Sequence, residues 1–247
     1  MNQNIYNSII KKNNKKLAIL IDPDKFDDGY ITGLLQLANA GKIDFFFVGG
    51  SIVAQNPERI ILYLKKYSQV PVVLFPGSLL QFSPEADAIL LLSLISGRNP
   101  ELLIGNHVAV APLLKKSKME ILPTGYILIN TGSTTSVEYI SNTVPIPDSK
   151  TDIVVATALA GEMLGLKLIY LEAGSGANQA IAPNLIQKVK QNIKIPLIVG
   201  GGIKTDKQLK DACNAGADII VIGTAAEKDL SQLSVFSDII HSYHFRD

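Results

Sequence analysis

The stretch YLEAGSGAN at 170–178 sets a carboxylate, Glu172, after an aromatic residue and ahead of small residues rich in exposed amides. An acid at the end of an apolar run, followed by pliable chain, can orient a substrate hydroxyl or take its proton. The plainer alternative is an acceptor for the amides of its own glycine loop. VGGGIKT at 199–205 and GTAAEK at 223–228 point to a second chemistry. Glycines let backbone N–H groups close on an anion, and a helix beginning there adds a favourable dipole. Together the two stretches imply a phosphorylated substrate; tight turns alone are the rival. IDPDK at 21–25 points to a third. Its carboxylates suit a hard cation such as Mg2+; Asp22 leaves an apolar run directly, and Ser51 of FFFVGGS could add a hydroxyl oxygen. Asp27 or Asp28, ahead of YITGLL, suits a helix cap instead.

These residues need a frame that gathers them. Eight short apolar runs alternate with helical patterns: 17–21, 45–49, 70–75, 88–95, 125–130, 167–172, 195–200 and 218–223. Continuously apolar strands fit a parallel sheet covered on both faces, and eight close a (β/α)8 TIM barrel. Helical spacing recurs at Ile31, Leu34, Leu35 and Ala38, at Ile60, Ile61 and Leu64, at Leu185, Ile186 and Val189, and at Leu209, Ala212 and Cys213. Pro57 and Pro183 suit first turns, while Gly41 and Gly216 suit helix ends. The segment 76–87, PGSLLQFSPEAD, is too short and broken for a helix, so the third βα unit is degenerate. In such a barrel the loops after the strands form the active face. Asp22, Gly49–Ser51, Pro76–Ser78, Glu172–Gly176, Gly200–Gly202 and Gly223–Thr224 all fall there.

Composition narrows the classes. The 247 residues suit one domain spanning 1–247, and no low-complexity linker divides them. Lys and Arg total 23 against 22 acids, a balance that gives nucleic-acid binding no support. Mean hydropathy is +0.24, yet no apolar run approaches the ~18–20 residues of a membrane span. The lysines near the N-terminus precede only LAILI, too short for a secretory signal. Cys213 is the lone cysteine, which excludes internal disulfides and thiolate clusters. A cytoplasmic enzyme is the expectation. His107, His241 and His244 show no metal spacing and read as surface residues.

IDPDK, FVGGS, FPGS, YLEAGSGA, VGGGIKT and GTAAE, in this order over about residues 17–228, resemble the geranylgeranylglyceryl phosphate synthase family, including its heptaprenylglyceryl phosphate synthase branch. The resemblance implies a prenyltransferase that joins sn-glycerol 1-phosphate to a polyprenyl diphosphate as an ether, with Mg2+ as cofactor, in a homo-oligomer near a membrane surface for product release. It implies Asp22 and Ser51 as metal ligands and Glu172 as the acid acting on the hydroxyl. Tyr170, Leu171, Glu172, Ala173, Gly174, Ser175, Gly176, Gly201, Gly202, Gly223 and Thr224 would be the glycerol-phosphate contacts. Some members carry a lysine two residues before the first aspartate, where this chain has Leu20. That departure and the AGSGA form resemble the second subgroup, which favours the geranylgeranyl donor. LLQF at 79–82 and ELLI at 101–104 are candidates for a tail groove. Two rivals remain open: a sugar-phosphate isomerase or aldolase using Lys25 or Lys204 as an imine, and a non-catalytic phosphate sensor.

Overall fold

The computed structural model describes residues 4–11, 14–25, 27–223 and 229–243. Its strands are β1 (Lys16–Ile21), β2 (Phe45–Val48), β3 (Val72–Leu74), β4 (Ala88–Leu94), β5 (Glu120–Asn130), β6 (Ile146–Pro147), β7 (Leu168–Glu172), β8 (Leu197–Gly200) and β9 (Ile219–Ile222). All pairings are parallel. They run β4-β3-β2-β1-β9-β8-β7-β5, and a β4–β5 pairing closes the ring of eight. β6 stands outside the ring, paired only with the end of β5.

All eight apolar runs are barrel strands. β5 starts earlier than GYILIN, at Glu120, and passes through Pro123. A proline removes one ladder donor, but its carbonyl still accepts from the Lys167 amide at 2.8 Å, so the strand continues. The strands are apolar throughout because each face packs into its own core. Phe45, Phe47, Val73, Leu90, Tyr126 and Tyr170 belong to the barrel interior, while Ile19, Phe46, Val72, Ile169 and Leu171 pack against the helices.

Around the ring lie α1 (Asn4–Ile10), α2 (Asp28–Asn39), α3 (Glu58–Tyr67), α4 (Asn106–Lys116), α5 (Ser136–Ser141), α6 (Thr151–Met163), α7 (Pro183–Asn192), α8 (Asp206–Asn214) and α9 (Leu230–His241). The apolar faces expected of α2, α3, α7 and α8 are all buried. Asp27 caps α2 by accepting the Tyr30 amide at 2.8 Å. α1 plugs the N-terminal end of the barrel: Ile5 and Ile9 join the interior cluster, and the Ile5 and Tyr6 amides donate to Glu120 at 2.8 and 3.0 Å. After β3 there is only a short 3-10 turn, Leu79–Gln81, as the broken 76–87 segment implied.

Two histidines differ from their surface reading. His107 is partly buried, with Nε2 2.9 Å from the Leu92 carbonyl. His241 places Nε2 2.8 Å from Asp44 and Nδ1 3.2 Å from the Ser237 hydroxyl, tying the end of α9 to the segment entering β2. The His107–Leu92 and His241–Asp44 contacts join residues 15 and 197 positions apart, which local spacing cannot show. His244 lies outside the described residues.

Candidate active site

Strand alternation aims Tyr170 and Glu172 into the barrel and Leu171 and Ala173 outward, where they pack in the helix-side cluster. Whatever Leu171 and Ala173 offer the cavity is backbone. Glu172 ends β7 level with Gly200 of β8 and Leu128 of β5. Its Oε1 accepts the Gly174 amide at 2.6 Å. A methyl on Gly201 would sit 2.6 Å from that same oxygen, so glycine is needed there for the carboxylate to fit. Burial pushes the Glu172 pKa up; the Gly174 amide and the hydroxyls of Tyr170 and Tyr126 pull the other way and do not cancel it. A carboxylate with raised basicity is a better proton acceptor near neutrality.

Beneath it lies an aromatic floor. Tyr170 stacks on Phe75 with ring centres 5.4 Å apart and meets Tyr126 edge-on at 5.2 Å. The Tyr170 hydroxyl is fully buried and finds no partner at hydrogen-bond geometry, although it lies close enough to Glu172 to stabilise its charge. Burial, and then the Glu172 charge, raise both tyrosine pKa values well above normal, so both hydroxyls stay neutral donors.

Above this floor opens a polar cavity of about 660 Å³, which brings Asp22, Ser51, Glu172, Gly174–Gly176, Gly201–Gly202 and Gly223 together. Thr224 lies outside the described residues. Gly202 has φ +74°, and a methyl on it would come within 2.4 Å of the Gln179 carbonyl. The backbone itself therefore requires this glycine, whatever ligand the loop holds.

Asp22 and Ser51 stand on adjacent strand ends. The Asp24 carboxylate accepts the Ala54 amide at 2.9 Å and the Gln55 amide at 2.7 Å, which binds the β1 loop to the β2 loop. Asp22 Oδ1 accepts the Asp24 amide at 3.1 Å, and Oδ2 is 4.0 Å from Lys25 Nζ. Among the described residues no group of three or more His, Cys, Asp or Glu could hold a metal. One carboxylate and one hydroxyl are hard oxygen donors of the kind Mg2+ takes, and would leave its other positions to phosphate oxygens and water.

A second, apolar cavity of about 220 Å³ opens beside the first, along β4 and under α4. Leu79 and Phe82 of LLQF and Leu102 of ELLI line it, with Leu90 and Leu92. Leu80 and Ile104, from the same two stretches, face outward instead and are exposed. Residues 75–79 and Phe82 border the channel, where the chain after β3 forms only a 3-10 turn.

The sequence matches the PcrB family over residues 8–240. The chain belongs to that family. A geranylgeranylglyceryl phosphate synthase of Chitinophaga pinensis is 49% identical, over 98% of this chain and 98% of its own length. Another, from Korarchaeum cryptofilum, is 38% identical over 88% and 90%. The solved (S)-3-O-geranylgeranylglyceryl phosphate synthase of Thermoplasma acidophilum, in complex with substrate sn-glycerol-1-phosphate, superposes with a TM-score of 0.90 at 32% identity, covering 97% and 99%. This PcrB member is an enzyme of the prenyltransferase class.

In this PcrB chain neither rival lysine suits imine chemistry, which favours a desolvated amine. Lys25 and Lys204 are both exposed, and Lys204 Nζ donates to the Ala177 carbonyl at 2.9 Å. Tyr126 and Phe75 line the cavities and escaped the sequence reading. Their only mark is a place in apolar runs whose inner and outer faces look alike, Phe75 just after β3 and Tyr126 within β5. Among the described residues no helix is long and apolar enough to cross a membrane.

Proposed function

We propose that the chain joins the 3-hydroxyl of sn-glycerol 1-phosphate to a polyprenyl diphosphate, geranylgeranyl by preference, forming an ether and releasing diphosphate, with Mg2+ held by Asp22 and Ser51. The observation that carries this reading is the pairing of cavities: a polar chamber with a buried base shares five lining residues with an apolar channel beside it. Only a substrate set combining a charged hydroxyl compound with a long hydrocarbon uses both. The names of the relatives, and the glycerol phosphate in the Thermoplasma acidophilum complex, support the same pair.

Glycerol phosphate lies with its phosphate toward the Gly201–Gly202 and Gly223 loops and its hydroxyl at Glu172. Holding the hydroxyl oxygen in line with the donor carbon turns a bimolecular encounter into an oriented one. The carbon–oxygen bond to the diphosphate breaks with its electron pair leaving on the diphosphate. The glycerol oxygen supplies the pair for the new bond, and its proton passes to Glu172. Mg2+, when bound, neutralises the leaving diphosphate. Leu80, 90% exposed beside the channel residue Leu79, gives the tail-bearing product an apolar exit toward a membrane surface.

Purified protein given glycerol 1-phosphate, a series of prenyl diphosphates and Mg2+ should yield the ether, identified by mass spectrometry. Excess EDTA should silence it. Asp22→Asn should abolish turnover while glycerol-phosphate binding, read by calorimetry, survives. Full activity in chelator, or normal turnover by Asp22→Asn, overturns the metal assignment.

A further inference from the structure

The polar chamber and the apolar channel share five lining residues: Gly50, Ser51, Phe75, Tyr126 and Val137. This junction is where a prenyl donor must change character. With its diphosphate at Asp22 and Ser51 and its tail in the channel, its first carbon lies between them. Two of the five residues are aromatic. Their rings meet edge to face, 5.9 Å apart at 67°. Phe75 is backed by Tyr170 at 5.4 Å and by Phe47 at 6.3 Å, so neighbouring rings hold it in place from inside the barrel. Tyr126 is clamped by Tyr170 on one side and is only 6% exposed.

We propose that Phe75 and Tyr126 form an aromatic wall against the reacting allylic carbon of the donor and stabilise the positive charge that grows there. This rests on the prenyl-transfer reading. As the carbon–oxygen bond to diphosphate breaks, the electron pair departs with the leaving group, and the allylic carbon becomes electron-poor until the glycerol oxygen closes on it. The rings exchange no electrons with it. Both rings border the junction of the two cavities, and the π electrons of an aromatic ring attract a nearby cation, the more so the less water reaches it. Glu172 cannot serve both needs, because its carboxylate is committed to the Gly174 amide and the acceptor proton.

The test is to replace Tyr126 by Phe and then by 4-fluoro-, 3,5-difluoro- and 3,4,5-trifluoro-Phe, reading the single-turnover rate with geranylgeranyl diphosphate. Each fluorine weakens the π face while barely changing shape. The rate should fall stepwise, by roughly 30-fold across the series, equivalent to about 2 kcal/mol. Tm and glycerol-phosphate affinity should stay at the values of Tyr126→Phe. Tyr126→Leu should be as slow as the trifluoro variant or slower. A flat rate across the fluorinated series overturns the wall, even if Tyr126→Leu is slow through misfolding. Wild-type protein that makes no ether from any prenyl diphosphate overturns the reaction and the wall together; a working wild type with a flat series removes only the wall.

Discussion

On the β7–β8 side of the barrel mouth the chain has no slack. A methyl on Gly200 would strike the Tyr170 hydroxyl at 2.2 Å, one on Gly201 the Glu172 carboxylate at 2.6 Å, and one on Gly202 the Gln179 carbonyl at 2.4 Å. On the β3–β4 side, segment 76–87 supplies one short turn where a helix would lie, and a channel runs through the gap. One region is closed to any added side chain; the other is held through Gln81, whose carboxamide bonds the Gly50 and Gly77 backbone, and leaves apolar space beside it. Recognition of a small charged substrate needs donors fixed within tenths of an ångström, whereas a hydrocarbon asks only for apolar space of the right length.

That contrast predicts a loss of chemistry on one side and a loss of selectivity on the other. Of substitutions on these two sides, Glu172→Gln should give the largest effect. Glutamine keeps an acceptor for the Gly174 amide but cannot take a proton, so kcat should fall at least ~100-fold, about 2.7 kcal/mol, with a much smaller change in KM for glycerol 1-phosphate. Stability supplies the control. Burial raises the Glu172 pKa, so the folded protein keeps this proton to higher pH than the unfolded chain does. The stability linked to it is fully present below the ordinary carboxylate pKa and declines as pH climbs through the raised value. Glu172→Gln should therefore match wild type in Tm at acid pH and equal or exceed it near neutrality. A drop of several degrees at neutral pH, with kcat preserved, would mark the residue as structural.

Gly202→Val tests how rigid the polar side is. Its positive φ and the Gln179 carbonyl impose strain of about 1–3 kcal/mol, so Tm should fall by roughly 3–10 °C. Phosphate affinity should weaken as well. An unchanged Tm with only KM raised would show that the loop yields, and that the glycine serves the ligand alone.

Leu102→Trp probes the permissive side and should be the mildest. Filling the channel should displace about two methylenes of tail, each worth ~0.8 kcal/mol, and lower kcat/KM for geranylgeranyl relative to farnesyl diphosphate roughly tenfold. Tm should barely move. An unaltered preference would place the tail elsewhere.

The same contrast explains what the sequence made legible. Glu172, Asp22 and the glycine runs are read from residue type because carboxylates at strand ends and backbones without side chains have few other uses. The eight strands are legible because a doubly covered parallel sheet leaves unbroken apolar runs. Phe75 and Tyr126 stayed hidden for that very reason: with both faces buried, alternation no longer tells interior from exterior. The α1 plug depends on Glu120, more than a hundred residues away, and the His241–Asp44 contact likewise spans the chain. The missing helix at 76–87 was visible as a broken pattern, but that it leaves a cavity required the neighbouring strands and α4 to be in place.

The absent helix also bears on how such a protein can diversify. Segment 76–87 connects β3, only three residues long, to β4, and no helix packs the gap between them. Length changes at its exposed residues, 78–80 and 84–85, need not disturb the strands that carry Glu172 and the glycine loops so long as Gln81 keeps its bonds to Gly50, because surface connections tolerate length changes that paired strands do not. Under the proposed reaction, lineages could retune hydrocarbon length at this seam while the catalytic half drifts slowly. The same seam is where a library aimed at shorter or longer donors should concentrate its diversity.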